Sequence, residues 1–599
     1  MPPLRDELLH IRDEVAALRS DALEAERRAA TEIAAVHPSH RPGARNLVHY
    51  LALRAYDLRP LQARLSDVGL SSLGRMEADV LRNLDAVTAL IDAALGDAGA
   101  GDAGAGDAAD EEDDRGALRT HADDLLGRVT HARTTRIMVT LPSEAADDGD
   151  LVAEFAASGM DLARINCAHD DEPAWRRMAD HVRAADDRIR IAMDLGGPKL
   201  RTGTLPEGPH VRKAKPVRDA AGRVEVPARI RFAPADVAAD EPDAVTVPVR
   251  DAGWLGRRAV GDVIRFRDAR GRARRVTVVE TGRAGVVAEG DRTSYLEEGA
   301  DLRCDDDATT VAALPPVPGA LRVHVEDTIV LAADGAPARS ADGVHRIACS
   351  LPEAVAAARV GDRVSFDDGR IDGVVRDARD GELEIEVTAA REGGAKLRAE
   401  KGVNLPDTAI PVGAVADDDL AALDVVVDIA DIVQLSFARS ADDVDLLLAA
   451  LDARGAQDIG VVVKLETVDG FLALPEILLA LMTRRRAGVM IARGDLAVEA
   501  GFERLAEVQE EMLWLCEAAH LPVVWATQVL EDLAKRGVPT RAEITDAASA
   551  NRAECVMLNK GPRITDAIRT LDGILGRMAG HLDKKRPLLR RLRSWSAER

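Results

Sequence analysis

Over the first 95 residues, apolar positions recur at three- and four-residue spacing. LRDELLHIRDEVAALRSDALEAERRAA, NLVHYLALRAYDLRPLQARLSDVGL and MEADVLRNLDAVTALIDAAL all carry this period. It lays an apolar stripe along one side of a helix and predicts an N-terminal α-helical region. From about residue 134 the period changes. Short β-type runs appear at TRIMVTL (135–141), DLARIN (161–166), RIRIAMD (188–194) and DIVQLSF (431–437), then at GVVVKLE (460–466), GVMIAR (488–493), PVVWAT (522–527) and CVMLN (555–559). Helical patterns such as DLVAEFAASG and FERLAEVQEEMLWLCEAAH separate some of them. The alternation predicts a parallel sheet with crossover helices. Eight strand units predict an α/β protein built on a (β/α)8 TIM barrel rather than an open sheet.

The third and fourth runs are separated by far too much chain for one crossover. The intervening residues alternate in stretches such as VGDVIRFRDARGRARRVTVVE, which predicts an inserted all-β domain. VGDVIRFRDAR at 260–270 resembles VGDRVSFDDGR at 360–370. The insertion thus reads as two small modules, or as two chance Gly-Asp turns before strands. The expected organisation is an N-terminal helical region over 1–95 and a flexible acidic linker over 96–118. The first part of the barrel follows over 119–203, the β domain over 204–401, the second part of the barrel over 402–583 and a basic tail over 584–599.

The 599 residues are enough for several domains, and 46% of them are hydrophobic. Only 3% are aromatic, so aliphatic packing dominates. The net charge of −24 argues against a nucleic-acid binder or an anionic-membrane binder. Cys167, Cys304, Cys349, Cys516 and Cys555 form no CxxC pair, and a disulfide framework is not expected in a chain this size. No apolar run has the length of a bilayer span and no signal peptide is evident. The expectation is a soluble cytoplasmic protein with no membrane partner; homo-oligomer formation stays open.

Active sites of such barrels lie at the C-terminal ends of the strands. There the chain places Arg164 and Asn166 with His169 just beyond, then Asp194, Lys464 and Glu466, Arg493–Gly494–Asp495, and Thr527. Lys464 and Glu466 are two apart and so share one face of their strand. Taken alone, they fit an internal ion pair as well as a ligand site. Glu466 and Asp495 on adjacent strand ends form a carboxylate pair suited to Mg²⁺. ARGDL opens a helix whose free N–H groups fit an anion. Arg164 and Lys464 would neutralise a transferring phosphoryl group. Lys199, in DLGGPKLRTG, reads as a solvated turn residue or as a cation with a defined place.

RINCAHD, DLGGPKLRTG, KGVNLP, VQLSFARS, VVVKLETVDG, MIARGDLAVE, ATQVLED and PTRAEITDAA occur in this order. Together they resemble the motifs of the pyruvate kinase family, over roughly residues 134–203 and 370–580. That family carries a mobile β domain after the third barrel strand, which the insertion matches in an enlarged form. The resemblance implies Mg²⁺-dependent (or Mn²⁺-dependent) phosphoryl transfer from phosphoenolpyruvate to ADP. It implies that Arg164 contacts the phosphoryl group and that Glu466 and Asp495 hold the metal. Lys464 would stabilise transition-state charge. Thr527, with Gly494 and Asp495 on the substrate side, would position the substrate carboxylate and the water that protonates the enolate. Asn166 and His169 would lie near the nucleotide.

Three positions depart from the common pattern together. Ala168 stands for a serine, Leu195 for a threonine and Lys199 for a glutamate. Potassium-independent members of the family share the aliphatic residue and the lysine. The resemblance therefore implies that Lys199, beside Asp194 and Leu195, takes the place of the monovalent cation and that K⁺ is not required. TRIMVTLPSE lacks a usual glycine, and MLNKGPR replaces a usual MLSGETA-type segment. The chain ends soon after strand eight and its helix, so no C-terminal effector domain and no control by sugar phosphates are expected. Two other readings remain: a non-catalytic or weakly active phosphoenolpyruvate-binding relative, and a metal-dependent barrel aldolase or lyase. Cys167 reads as a packing residue.

Overall fold

The computed structural model describes residues 2–96, 116–129, 131, 133–235, 243–379, 381–584 and 586–587. Most of the expected acidic linker and basic tail lies outside these residues. Two compact units are present: residues 1–200, 356–369 and 402–599 form one, and residues 201–355 and 370–401 form the other.

In the first unit, eight parallel strands close into a barrel in chain order. They are β1 (Arg136–Thr140), β2 (Leu162–Asn166), β3 (Arg190–Asp194) and β4 (Ile432–Leu435). They continue with β5 (Gly460–Leu465), β6 (Ala487–Ala492), β7 (Val523–Ala526) and β8 (Cys555–Leu558). Every strand falls on one of the eight apolar runs. β1 pairs with β8 to close the ring, with Ile137 opposite Val556.

Side chains alternate along each strand, and the two sets separate cleanly. Ile137, Ile165, Val433, Val463, Ile491 and Trp525 join the large core shared with the surrounding helices. Met138, Leu162, Ala192, Ile432, Val462, Met490, Val524 and Cys555 form a separate buried cluster that fills the lumen. One step of two residues toward the C-terminal ends of β1 to β5 gives Thr140, Arg164, Asp194, Gln434 and Lys464. All five are buried. The lumen thus changes from an apolar layer to a polar one within a single period, and this fixes the end at which chemistry can occur.

The other end is closed. The N-terminal helices come first: α1 (Pro2–Arg28), α2 (Arg41–Arg54) and α3 (Val80–Leu95). α1 buries Ile11, Val15, Leu18 and Ala22, and α3 buries Val80, Leu84, Val87 and Ile91. Both series follow the 4-3-4 spacing of one helix face. Gly43 on α2 approaches the barrel so closely that a Cβ there would come within 2.4 Å of Ala519 O. Asn46 donates to Glu77 O at 2.6 Å and to Ala518 O at 2.9 Å, and accepts from Val80 N at 2.8 Å. A buried amide is thereby satisfied on both sides. Helix α4 (Ala117–Leu126) then sends Leu125 and Leu126 into the lumen cluster. A Cβ on Gly460, the first residue of β5, or on Gly488, the second of β6, would meet Leu125 at 2.6 Å, so glycine at both positions makes room for this plug.

Among its described residues the second unit is all β apart from short helical turns. One seven-stranded sheet runs through residues 228–310. It packs over Ile230, Phe232, Val247, Trp254, Ile264 and Phe266. Further strands include Thr328–Ala332, Val344–Ala348, Ile371–Arg379 and Glu382–Ala390. The VGD similarity has a structural counterpart at each copy. Gly261 and Gly361 adopt φ of +98° and +99°. Asp262 Oδ2 accepts from Ala259 N at 2.9 Å, and Asp362 Oδ2 accepts from Arg359 N at 3.0 Å. Val260 and Val360 are 65% and 63% exposed, and a strand begins two residues after each glycine. The same turn is therefore built twice.

Candidate active site

The polar layer of the lumen is a connected network. Asp194 Oδ2 forms an ion pair with Arg164 and lies 3.2 Å from Lys464 Nζ. Lys464 Nζ is also 3.2 Å from Glu466 Oε1 and donates to Ser436 Oγ at 2.8 Å. Arg164 Nη1 donates to Thr140 Oγ1 at 2.9 Å. Ser436 Oγ donates to Leu195 O at 2.7 Å, and Glu466 Oε2 accepts from Phe437 N at 2.8 Å. Burial works against every one of these charges, and pairing decides the outcome. For Asp194, Arg164 and Lys464 outweigh burial and hold its carboxyl below the ordinary range. For Lys464, Asp194 and Glu466 outweigh burial and raise its ammonium. For Glu466, burial wins, the nearby Asp495 carboxylate adds to it, and the carboxyl is pushed up.

At the rim, helix α5 (Arg493–Ala500) starts directly at the end of β6. Asp495 lies in its first turn, where the helix favours negative charge. Lys199 Nζ donates to both Asp495 oxygens at 3.1 Å and sits 5.4 Å from the centre of the Phe437 ring. The loop that carries Lys199 is pinned by Asp419, whose carboxylate accepts from Gly197 N at 3.2 Å and from Ala416 N at 2.9 Å. Gly197 has φ +65° and has Ser436 and Phe437 within 3.1–3.2 Å of where a Cβ would be, so a side chain there would be strained and crowded. Thr527 directly follows β7 at φ +64°, and its Oγ1 accepts from Gly494 N at 2.7 Å. Asn404 of the KGVNLP segment donates to Glu499 Oε1 at 3.2 Å. Burial, with Asp495 and Asp469 nearby, pushes the Glu499 carboxyl up to about 7.

Arg164, Asp194, Lys464 and Glu466 therefore meet in one network, and Gly494 meets Thr527. Lys199 is placed on Asp495, while Asp194 is engaged by Arg164 and Lys464, so the two lysines serve different carboxylates. Leu195 is buried and meets this network through its backbone carbonyl. Asn166, half-buried, is the last residue of β2, and His169 lies in the exposed turn that follows: Asn166 Oδ1 accepts from Ala168 N at 3.0 Å, and His169 N donates to Asn166 O at 3.0 Å. Cys167 is pushed up to about 12 by burial and nearby carboxylates, which removes it as a nucleophile. Among the described residues no group of three or more His, Cys, Asp or Glu side chains could hold a metal. Glu466 and Asp495 supply two hard oxygen donors, a set that fits Mg²⁺ completed by substrate oxygens. Asp419 and Ser436 escaped the sequence reading. Asp419 carries no pattern of its own, and Ser436 sits inside VQLSFARS as an ordinary strand-end hydroxyl.

A family profile described as "Pyruvate kinase, barrel domain" matches residues 300–562. The pyruvate kinase of Mycobacterium intracellulare is 33% identical over 452 residues, 74% of this chain and 70% of that protein. That of Corynebacterium efficiens is 27% identical over 436 residues, 71% of this chain and 65% of that protein. The rat protein "Pyruvate kinase PKLR" is 39% identical over 205 residues, 33% of this chain and 34% of that protein. The chain thus spans less than two thirds of these last two relatives. In fold it is similar to the crystal structure of a pyruvate kinase from Cryptosporidium parvum, with a TM-score of 0.50 and 20% identity over 75% of this chain and 69% of that one. With its eight-stranded barrel, inserted β unit and long match to the mycobacterial enzyme, the chain belongs to the pyruvate kinase family.

Proposed function

We propose that this protein transfers the phosphoryl group of phosphoenolpyruvate to ADP, giving pyruvate and ATP, with Mg²⁺ or Mn²⁺ and without a K⁺ requirement. The observation that carries this reading is the buried Arg164–Asp194–Lys464–Glu466 network at the end of the lumen, with Lys199 on Asp495 beside it. Arg164 and Lys464 are held charged by carboxylates, so both stay available as fixed cations for an incoming trianion. Glu466 and Asp495 would hold the divalent ion, which when bound supplies charge neutralisation at the transferred phosphoryl group. Thr527 Oγ1 already accepts from Gly494 N, which leaves its own proton to bind the substrate carboxylate or the water that delivers a proton to the enolate carbon. Asn166 at the end of β2 and His169 in the turn after it would face the nucleotide. Lys199 supplies the positive charge of a monovalent ion, with the aliphatic Leu195 and Ala168 where hydroxyl ligands would be needed. The protein does little covalent work in such a transfer; positioning and electrostatics dominate.

The domain limits given above and a cytoplasmic location are part of this proposal. No helix among the described residues is long and apolar enough to cross a membrane. The test is pyruvate formation from phosphoenolpyruvate and ADP by purified protein with Mg²⁺, with and without K⁺. Binding of phosphoenolpyruvate without turnover in either condition would replace this reading with that of a non-catalytic relative.

A further inference from the structure

Thr527 has φ +64°, and Gln528 and Leu530 follow at +57° and +48°. A β-branched residue in the left-handed region is costly and persists only where its surroundings impose it. Arg493, the first residue of α5, is the group that does so. It is buried. Its Nε donates to Ala526 O at 3.0 Å and its Nη2 donates to Thr527 O at 2.5 Å. These two carbonyls belong to the peptide planes on either side of the Thr527 Cα. One rigid guanidinium therefore fixes both planes, and with them the φ and ψ of Thr527. The guanidinium is itself held by an ion pair with Asp546, whose Oδ2 accepts from Nη2 at 2.9 Å, and it lies 4.7 Å from the centre of the Trp525 ring. The next residue, Gly494, donates its N–H to Thr527 Oγ1, so backbone and hydroxyl are both referenced to the start of α5. A lysine presents a single point charge and cannot hold two planes at once.

We infer that Arg493, anchored by Asp546, is a positioning residue that sets the backbone of Thr527 and so aims its hydroxyl at the substrate. The inference rests on the role proposed above for Thr527. Two rates test it: steady-state turnover of phosphoenolpyruvate with ADP and Mg²⁺, and hydrogen exchange at the pyruvate methyl group in D₂O. Both are measured for Arg493→Lys, Asp546→Asn, Thr527→Ala and the double variant Arg493→Lys/Thr527→Ala. Arg493→Lys should lower kcat and exchange together by roughly 10- to 100-fold, as for a group misplaced by about 1 Å, with KM for phosphoenolpyruvate within about twofold. The double variant should be no slower than Thr527→Ala. Losses that multiply in the double variant, or undiminished exchange in Arg493→Lys, would overturn the inference. A crystal structure of Arg493→Lys decides it separately: Thr527 leaving the left-handed region supports it, and an unchanged Thr527 contradicts it. Wild-type protein with neither turnover nor exchange would sink the proposed activity, and the variant structure would still decide the part played by Arg493.

Discussion

Lys199 Nζ donates to both carboxylate oxygens of Asp495, at 3.1 Å each. Its ammonium is thus fixed beside a carboxylate proposed to hold the divalent ion. Lys199→Glu would set a second carboxylate there. Activity without K⁺ should fall by at least about 100-fold, the scale of removing one preorganised electrostatic group. Added K⁺ should restore part of it. Kinetics of the variant across a K⁺ titration check this, and full K⁺-free activity would contradict it.

Asp194 is 1% exposed and is shared by Arg164 and Lys464. Asp194→Asn leaves two buried cations with one less counter-charge. The loss in stability should be about 3–5 kcal/mol, the range for breaking a buried ion pair. Urea unfolding of the variant reads it directly. A change below about 0.5 kcal/mol, the scale of a neutral surface substitution, would contradict the network.

Leu125 fills the barrel end opposite the polar layer, between Gly460 and Gly488. Leu125→Ala should cost about 2–5 kcal/mol through lost burial and the cavity left behind. KM for phosphoenolpyruvate should stay as in wild type, because the plug and the site are at opposite ends of the lumen. Unfolding and kinetics on one preparation test both halves of this expectation.

Glu499 has its carboxyl raised from an ordinary value of 4.5 to about 7, by burial and by Asp495 and Asp469. Below 4.5 the folded and unfolded chains both carry the proton. Between 4.5 and about 7 only the folded chain retains it, so stability falls as pH rises through this window. Glu499→Gln removes the ionisation. The variant should match wild type near pH 4 and exceed it at pH 8 by about 3 kcal/mol. A constant difference between the two proteins across that range would contradict the assignment.

The barrel was legible because each strand is a short apolar run and each helix an apolar stripe, two periods that do not mix. Lys464 and Glu466 were legible as well, since an ionisable pair two apart on a buried strand marks either an internal ion pair or a ligand site. The VGD similarity was visible as letters, and the structure shows it as one turn built twice. What escaped was relational. Leu125 is one leucine among many until Gly460 and Gly488 make room for it. Asp419 and Ser436 act through backbone groups of a loop more than two hundred residues earlier in the chain, and no local pattern records that. Lys199 stood next to Asp194 in the sequence because the two are five residues apart. The fold turns the loop and gives the lysine to Asp495 instead.

The most direct test of the central claim is pyruvate production by the purified protein from phosphoenolpyruvate and ADP with Mg²⁺ in K⁺-free buffer. The account predicts turnover there, little further gain on adding K⁺, and loss on removing the divalent ion. No turnover with or without K⁺ would contradict the proposed activity, and turnover only with K⁺ would contradict the place given to Lys199.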